Sequence, residues 1–398
     1  MNRSLVRKLN LHFSVLWALY WMGWAALWGY LSVFLLHRGF TNSQIGLVSS
    51  CALLLPIVVQ PTPASLTDRD HRFTSRRLAM ALTTLALLCA VGVWVTDSTA
   101  LCAVLLVVIG VSLTAIAPYF NAMSMDFVLR GLDVNFGGSR SCGSVTYALT
   151  SLGMGAVLEH FAPTLVLPVF LLSFAALLVA LLLFRYPQPE LPVSTSKVAP
   201  TVLSNAAMLR RYPSFSVVLV ACALLISSQN AITTYMIHVV GKVGGGESAA
   251  GIAYFISGMV EMPAMLLFAK LRRKIPLRFL MLTCAFFFVL RSGSLLLATT
   301  PLAVYLGCSL QFFAYAVLSI STVYYVTEEI DTANQVKGQA LIYTASSGIG
   351  AAIGSLCGGR LLDAGGANTM LTFCVLAACA GVIVMALALF ARRKTPAA

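Results

Sequence analysis

The sequence predicts an all-α membrane protein with twelve transmembrane helices in two six-helix halves, on three observations. Of 398 residues, 59% are hydrophobic and only 10% charged, whereas soluble globular chains carry roughly 45–50% apolar and about 25% charged residues. That balance excludes a water-soluble globule. Apolar runs of about 20 residues, each long enough at ~1.5 Å per residue to cross a hydrocarbon core ~30 Å thick, recur along the whole chain. A polar linker divides those runs into six and six, and the basic residues gather in alternate connecting loops.

Bounded by polar breaks, the first six spans are expected at Leu9–Leu36, Gln44–Leu66, Arg77–Val95, Leu101–Val128, Phe136–Leu158 and Leu165–Phe184. Met1–Asn10 is basic, but the apolar run behind it exceeds a signal-peptide core of ~7–15 residues and no small-residue cleavage site precedes its Trp-rich part, so it reads as the first helix. Residues Tyr186–Pro213, rich in Pro, Ser and Thr, read as a connector, within which Val202–Leu209 suits a short interfacial helix. The second six spans follow at Ser214–Val240, Ala249–Leu271, Leu277–Leu297, Leu302–Val326, Val336–Cys357 and Thr369–Phe390. The expected domains are therefore an N-terminal half over residues 1–185, a cytoplasmic linker over 186–213 and a C-terminal half over 214–398. Gly153 and Gly155 in the fifth span, and Gly350, Gly354 and Gly358 at four-residue spacing in the eleventh, suit close helix approach.

The chain carries 26 Lys and Arg against 13 Asp and Glu. With both termini in the cytoplasm, all but five of those 26 lie on the cytoplasmic side, clustered at Arg3, Arg7 and Lys8, at Arg69, Arg72, Arg76 and Arg77, at Lys270, Arg272, Arg273, Lys274 and Arg278, and at Arg392, Arg393 and Lys394. The exceptions are Arg38, Lys242 and Arg360 in far-side loops and Arg140 and Arg291 within spans. The basic excess is thus a topology signal for a multi-pass protein of the cell membrane, not a nucleic-acid footprint. All ten cysteines sit singly in apolar surroundings, and His12, His37, His71 and His160 fall at span ends or in loops, so neither a disulfide framework nor a metal site is expected. No phosphate-cradling G-x-x-x-x-G-K-S/T loop is present, which argues against an ATP-driven pump.

A charge at the bilayer centre costs at least ~2.5–3.5 kcal/mol on insertion scales, so each deep ionisable residue needs a partner or a water-filled cavity. Arg140, Glu261 and Arg291 are the clear cases. At 100° per residue Arg140, Ser144, Tyr147 and Ser151 share one helix face, a stripe that offers a guanidinium fork, hydroxyls and an aromatic plane to a polar solute. Glu261, with Tyr254, Ser257 and Gly258 on its face, is the proton-carrier candidate. A carboxylate that meets Arg140 in one state and loses it in another takes up and releases a proton during a cycle; the competing reading is a permanent salt bridge fastening the halves. Position near the far end of its span favours a structural or gating role for Arg291. Asn121, Asn230 (with Thr234 and His238), Gln311 and Tyr315 (with Thr322) are neutral groups suited to binding hydroxyls or amides, and Tyr20, Trp21, Trp24 and Tyr30 add aromatic surface in the first span.

Two six-span halves, a central linker and basic loops after spans two and eight resemble the major facilitator superfamily over almost the whole chain. The loop QPTPASLTDRDHRFTSRR, Gln60–Arg77, is similar to the superfamily signature G-x-x-x-D-R/K-x-G-R-R/K in holding Asp68, Arg69, Arg76 and Arg77, with Ala64 in place of the usual Gly. The resemblance implies a gating role for those four residues. FGGSRSCGSVTYAL, Phe136–Leu149, resembles the F/Y-G-x-x-R-x-x-G-S/C-x-x-W/F/Y pattern of the lactose permease group of oligosaccharide, nucleoside and phenylpropionate proton symporters. GMVEMPAML, Gly258–Leu266, and FFFVLRSGS, Phe286–Ser294, carry Glu261 and Arg291 where that group has a carboxylate and a membrane arginine. By rough register the permease's tenth-helix histidine and glutamate fall on Gln311 and Ala314, and its seventh-helix aspartates on Gln229 or Asn230, so its proton machinery is not reproduced intact.

The expected activity is secondary transport by alternating access, not enzymatic catalysis: proton-coupled uptake of a small polar solute such as a sugar, glycoside or nucleoside. Aromatic-acid uptake and drug or metabolite efflux are the alternatives, and a non-transporting sensor a third class. The expected partners are the solute, the lipid bilayer and protons acting on a monomer, with no cofactor beyond the proton gradient.

Overall fold

A computed structural model of the chain describes residues 3–59, 74–129, 132, 134–186 and 203–390, and it is helical with no strand among them. The first compact unit comprises Met1–Lys197 together with Gly244–Met259, and the second comprises Val198–Val243 with Val260–Ala398. The helices of the first are α1 (Arg3–Leu27), α2 (Leu31–His37), α3 (Asn42–Val59), α4 (Ser75–Val95), α5 (Thr99–Leu129), α6 (Phe136–His160) and α7 (Val166–Leu183). The second holds α8 (Asn205–Arg211), α9 (Pro213–Thr234), α10 (Met236–Gly241), the latter part of α11 (Glu247–Lys274), α12 (Leu277–Leu297), α13 (Pro301–Ser309), α14 (Tyr315–Glu329), α15 (Gln335–Tyr343) and α16 (Ala351–Phe390).

Short polar side chains start these helices by accepting an otherwise orphaned backbone N–H. Asn135 Oδ1 accepts from Gly138 N at 2.9 Å to open α6, Ser204 Oγ from Ala207 N at 3.2 Å to open α8, and Thr300 Oγ1 from Ala303 N at 3.3 Å to open α13. Ten segments among the described residues are long and apolar enough to cross a membrane. The last of them, Thr332–Phe390, is folded at Gly366, whose φ of +72° no β-carbon-bearing residue adopts without strain, and so supplies two arms. The Gly-rich α6 is a further 25-residue helix that is not among those ten segments. Apolar side chains face outward as well as inward: Leu172 is 74% and Leu297 79% exposed, as a surface solvated by lipid requires.

Several spans depart from straight rods. The expected first span breaks at Trp28–Tyr30 into α1 and α2, and the seventh breaks at Tyr235 into α9 and α10. The tenth is interrupted by a tight turn at Leu310–Phe312, and the eleventh carries a wide π-helical turn at Thr344–Gly350. The second expected span is described as α3 up to Val59; its expected continuation to Leu66 lies outside the described residues. The connector contains α8, overlapping the short helix expected over Val202–Leu209.

Within the first unit α1 packs on α6 and α7, and α4 on α5 and α7; within the second α9 lies along α16, which also packs on α12. The glycines set how close these pairs come. A Cβ on Gly354 would stand 2.2 Å from Ser227 O, and one on Gly350 2.4 Å from Ala223 O, so α9 and α16 touch backbone to backbone. In the first unit the opening turns of α11 press on α6 in the same way, a Cβ on Gly251 reaching 2.8 Å from Ser151 O.

Candidate functional site

The first unit builds an aromatic ladder on α1. Trp17, Trp21 and Trp24 follow one another at helical spacing, Trp28 continues them into the break after α1, and Trp21 lies directly on Gly143 of α6, where a Cβ would meet its ring at 2.2 Å. The ladder is cross-braced edge to face: Trp17 with Tyr20 (5.9 Å between centroids) and Phe120 (5.5 Å), Tyr20 with Trp21 (5.4 Å), and Trp21 with Tyr147 (5.8 Å, 88° between planes). Tyr20 is pinned by donating its hydroxyl to Leu113 O at 2.9 Å. Arg140, exposed, lies with its guanidinium carbon 5.4 Å from the Trp17 ring centroid and forms no ion pair with any carboxylate among the described residues. The Trp17 indole N–H and the Asn121 amide oxygen are buried without hydrogen-bond partners. A donor, an acceptor, a cation and aromatic edges are thus all present in one unit.

Of the expected stripe, Arg140 and Ser144 are exposed and Tyr147 half-buried, while Ser151 is fully buried. Ser151 has a packing role instead: its carbonyl accepts the Tyr30 hydroxyl. Arg76 and Arg77 stand at the start of α4, and Arg76 Nε and Nη2 donate to Leu181 O (2.8 Å) and Leu182 O (2.9 Å), capping the C-terminal end of α7. Asp68 and Arg69 lie outside the described residues.

In the second unit the deep ionisable groups are joined through amides. Arg291, 1% exposed, donates Nη1 to Gln229 Oε1; Gln229 Nε2 donates to Gln311 Oε1 at 3.1 Å; Gln311 Nε2 donates to Glu261 Oε1 at 2.6 Å. Arg291 and Glu261 form no direct ion pair: two carboxamides stand between them. Ser228 and Ser292, one residue on from Gln229 in one direction and from Arg291 in the other, bridge α9 and α12 at 2.9 Å beside the chain. The tight turn at Leu310–Phe312 positions Gln311, and because the helix restarts only at Tyr315, Gln311 and half-buried Tyr315 do not share the continuous helical face that their spacing suggests. Arg291 sits far deeper than its place in the sequence implies.

Asn230 points elsewhere. Its Nδ2 donates to Ala351 O (2.7 Å) and Ser355 Oγ (2.6 Å), tying α9 to α16. Of Gln229 and Asn230, on either of which the register places the permease group's seventh-helix aspartates, Gln229 is the residue in the chain, and one residue is 100° of helix rotation. Trp17 was missed, for want of any reason to separate its apolar ring from ordinary core.

A helical membrane fold with a buried ionisable chain and a separate aromatic and cationic face defines a multi-pass transporter of small molecules. The family model described as MFS_1 like family matches residues 10–375, and the chain belongs to that family within the major facilitator superfamily. It is 26% identical over 395 residues to the maltose permease of Geobacillus stearothermophilus, covering 97% of this chain and 95% of the relative. It is 24% identical over 271 residues to the uncharacterized transporter YwbF of Bacillus subtilis (strain 168), covering 67% and 64%. The crystal structure of the nucleoside transporter NupG superposes with a TM-score of 0.81 at 15% identity over 99% of this chain and all of that one. A bacterial homolog of the human lysosomal transporter Spinster, inward-facing and unoccupied, superposes at 0.71 with 12% identity over 98% and 96%. The two superpositions speak to the fold alone.

Proposed function

We propose that the protein is a proton-coupled importer of a sugar or glycoside in the cell membrane, working as a monomer by alternating access, with the proton gradient as its driving force and no cofactor. The observation that carries the reading is Glu261: a half-buried carboxylate in a membrane helix, hydrogen-bonded by Gln311 and tied through Gln229 to a buried arginine. An ionised carboxylate costs too much in such surroundings to be carried without a use. Neutral Gln311 and Gln229 let it gain and lose a proton without leaving a second bare charge directly against it.

The solute side of the reading rests on the first unit. Tryptophan and tyrosine rings offer flat apolar faces to the C–H face of a pyranose, while Arg140, the Trp17 N–H and the Asn121 carbonyl offer donors and an acceptor to hydroxyls. Whole-length similarity to a maltose permease favours a glycoside over the other solutes. The loop bias of Lys and Arg supports cytoplasmic termini and two halves joined by the 186–213 connector, and Asp68, Arg69, Arg76 and Arg77 are assigned to gating.

The test is transport by purified protein in liposomes with an inward proton gradient, using radiolabelled maltose, uridine and 3-phenylpropionate. Gradient-driven maltose accumulation that disappears in Glu261→Gln while counterflow exchange persists is the expected result. Accumulation of uridine or phenylpropionate alone moves the substrate class, proton-driven expulsion reverses the direction, and accumulation that survives Glu261→Gln overturns the role of Glu261.

A further inference from the structure

We propose that Pro263 makes the Met259–Pro263 turn the flexing point of α11, where this helix yields as the transporter passes between its two access states. The inference rests on the alternating-access part of the proposed function and on no particular solute.

Two independent observations coincide in this turn. α11 runs unbroken over Glu247–Lys274, yet its residues up to Met259 belong to the first compact unit and those from Val260 onward to the second. Pro263 lies inside the helix. Proline has no N–H, so the carbonyl of Met259, one helical turn earlier, loses the partner an α-helix would give it, and the ring crowds that same carbonyl. The hydrogen-bond ladder is therefore cut at the link that starts on the last residue assigned to the first unit. Pro56 and Pro118 also sit inside helices, but α3 and α5 each stay within the first unit.

The two parts of α11 are held by different neighbours. The opening part is fastened to α6: Ser248 N donates to Glu159 Oε2 at 2.7 Å, a Cβ on Gly155 would stand 2.6 Å from Glu247 O, one on Gly251 2.8 Å from Ser151 O, and one on Gly258 3.4 Å from Ala148 Cβ. Backbones this close interlock, so the opening part travels with α6. The latter part is fastened to the turn at Leu310–Phe312 and to α14: Gln311 Nε2 donates to Glu261 Oε1 at 2.6 Å, the Phe268 and Tyr324 rings lie 5.3 Å apart, and Arg272 Nη2 donates to Glu328 Oε1 at 2.6 Å. Glu261, Phe268 and Arg272 share one helix face, so the latter part travels with α14. A helix whose two parts follow different neighbours bends when those neighbours move relative to one another, and the turn with the missing bond bends at least cost. Glu261 lies inside that turn, between Met259 and Pro263, so bending there re-aims its side chain relative to Gln311.

The experiment compares the wild-type protein with Pro263→Ala and Pro263→Gly. Alanine restores the backbone N–H and favours the helix, whereas glycine restores it while loosening the backbone. The readouts are maximal rate and KM for counterflow exchange of radiolabelled maltose, uridine and 3-phenylpropionate in proteoliposomes, thermal unfolding, and deuterium uptake over residues 258–264 in lipid nanodiscs. Pro263→Ala is expected to unfold at a higher temperature, to take up deuterium more slowly, and to exchange solute about fivefold more slowly at unchanged KM, the rate equivalent of one restored backbone hydrogen bond. Pro263→Gly is expected to be less stable than Pro263→Ala and yet faster in both exchange and deuterium uptake. A proline that served packing alone would make exchange rate follow stability, so an alanine variant that exchanges as fast as wild type, or faster than the glycine variant, overturns the flexing point. If the wild-type protein moves none of the three solutes, the choice of solute falls and deuterium uptake alone decides: faster uptake in Pro263→Gly than in Pro263→Ala supports the proposal, and equal uptake in all three proteins overturns it.

Discussion

The two units build the same joint and load it differently. In the first, the opening span bends at Tyr30 (φ −111°, ψ 21°) and the buried Tyr30 hydroxyl donates to Ser151 O on α6, 121 residues on; in the second, the seventh span bends at Tyr235 (φ −112°, ψ 30°) and its hydroxyl donates to Ser355 O on α16 at 2.9 Å, 120 residues on. Beyond each bend a basic residue caps the end of a neighbouring helix, Arg38 on α4 and Lys242 on α12. Shared down to torsion angles, the joint is scaffold. What differs beside it is chemistry: bulky rings on α1 over Gly143, against small residues on α9 under Gly350 and Gly354, and an exposed arginine, against one sealed behind two amides. The difference teaches that a shared joint fixes helix ends, while the faces beside it are free to diverge into an aromatic and cationic surface in one unit and a buried polar chain in the other.

Glycine substitutions give the widest predicted separation between the two faces. Gly354→Val drives a branched side chain into the Ser227 backbone, which cannot yield, so a loss at or beyond the upper end of the ~1–3 kcal/mol typical of overpacking is expected. Gly143→Ala meets only the half-buried Trp21 ring, and its stability cost falls toward the lower end of the same ~1–3 kcal/mol range, with solute affinity changed because the ring has moved. Thermal unfolding in detergent and KM for exchange of the transported solute read the two effects. Equal destabilisation would erase the contrast between a backbone contact and a side-chain contact.

The two arginines make the next test. Arg291→Met leaves the Gln229 oxygen buried without its donor, a stability cost of about 1–3 kcal/mol. Arg140→Met removes an exposed cation from the Trp17 ring, worth about 0.5–1 kcal/mol at such a site, so the fold stays and solute affinity drops. An Arg140→Met protein with unchanged KM for the transported solute would sink the assignment of that face to binding.

How far the sequence led follows from what kind of physics each feature obeys. That the chain is a multi-pass helical membrane protein was legible because bilayer thickness acts on local runs of residues. The packing role of Gly350, Gly354 and Gly358 was legible from their four-residue spacing. The helix breaks at Tyr30, Tyr235 and Gln311 were not, since none carries proline; their torsions are held by contacts more than a hundred residues away, or by the turn of aromatic residues around Phe312 and Phe313. Glu261 and Arg140 stood out as charges in apolar surroundings, whereas Gln229 and Asn230, chemically alike and adjacent, are separated only by which way α9 is rotated.

The joints themselves make two smaller predictions. Tyr30→Phe and Tyr235→Phe each delete one buried hydrogen bond to a carbonyl, and if the joints are equivalent each lowers stability by about the same ~1 kcal/mol. A marked inequality in unfolding temperature would show that one joint carries strain the other does not.

The contacts of Arg38 and Lys242 say why these two basic residues are kept. Arg38 spans two carbonyls at the end of α4, Thr96 O and Val93 O, each at 2.9 Å, and lies 5.5 Å from the Phe34 ring; Lys242 reaches Leu295 O at 3.3 Å and Leu296 O at the end of α12. A cation at a helix C-terminus gains about 0.3–1 kcal/mol from the dipole and the free carbonyls. Replacing either by Met is expected to cost that much, Arg38 more than Lys242 because a planar fork matches two fixed acceptors better than a single ammonium. Lys242→Arg should then raise the unfolding temperature slightly and Arg38→Lys lower it. If both exchanges leave it unmoved, the two charges are serving something other than the helix ends they touch.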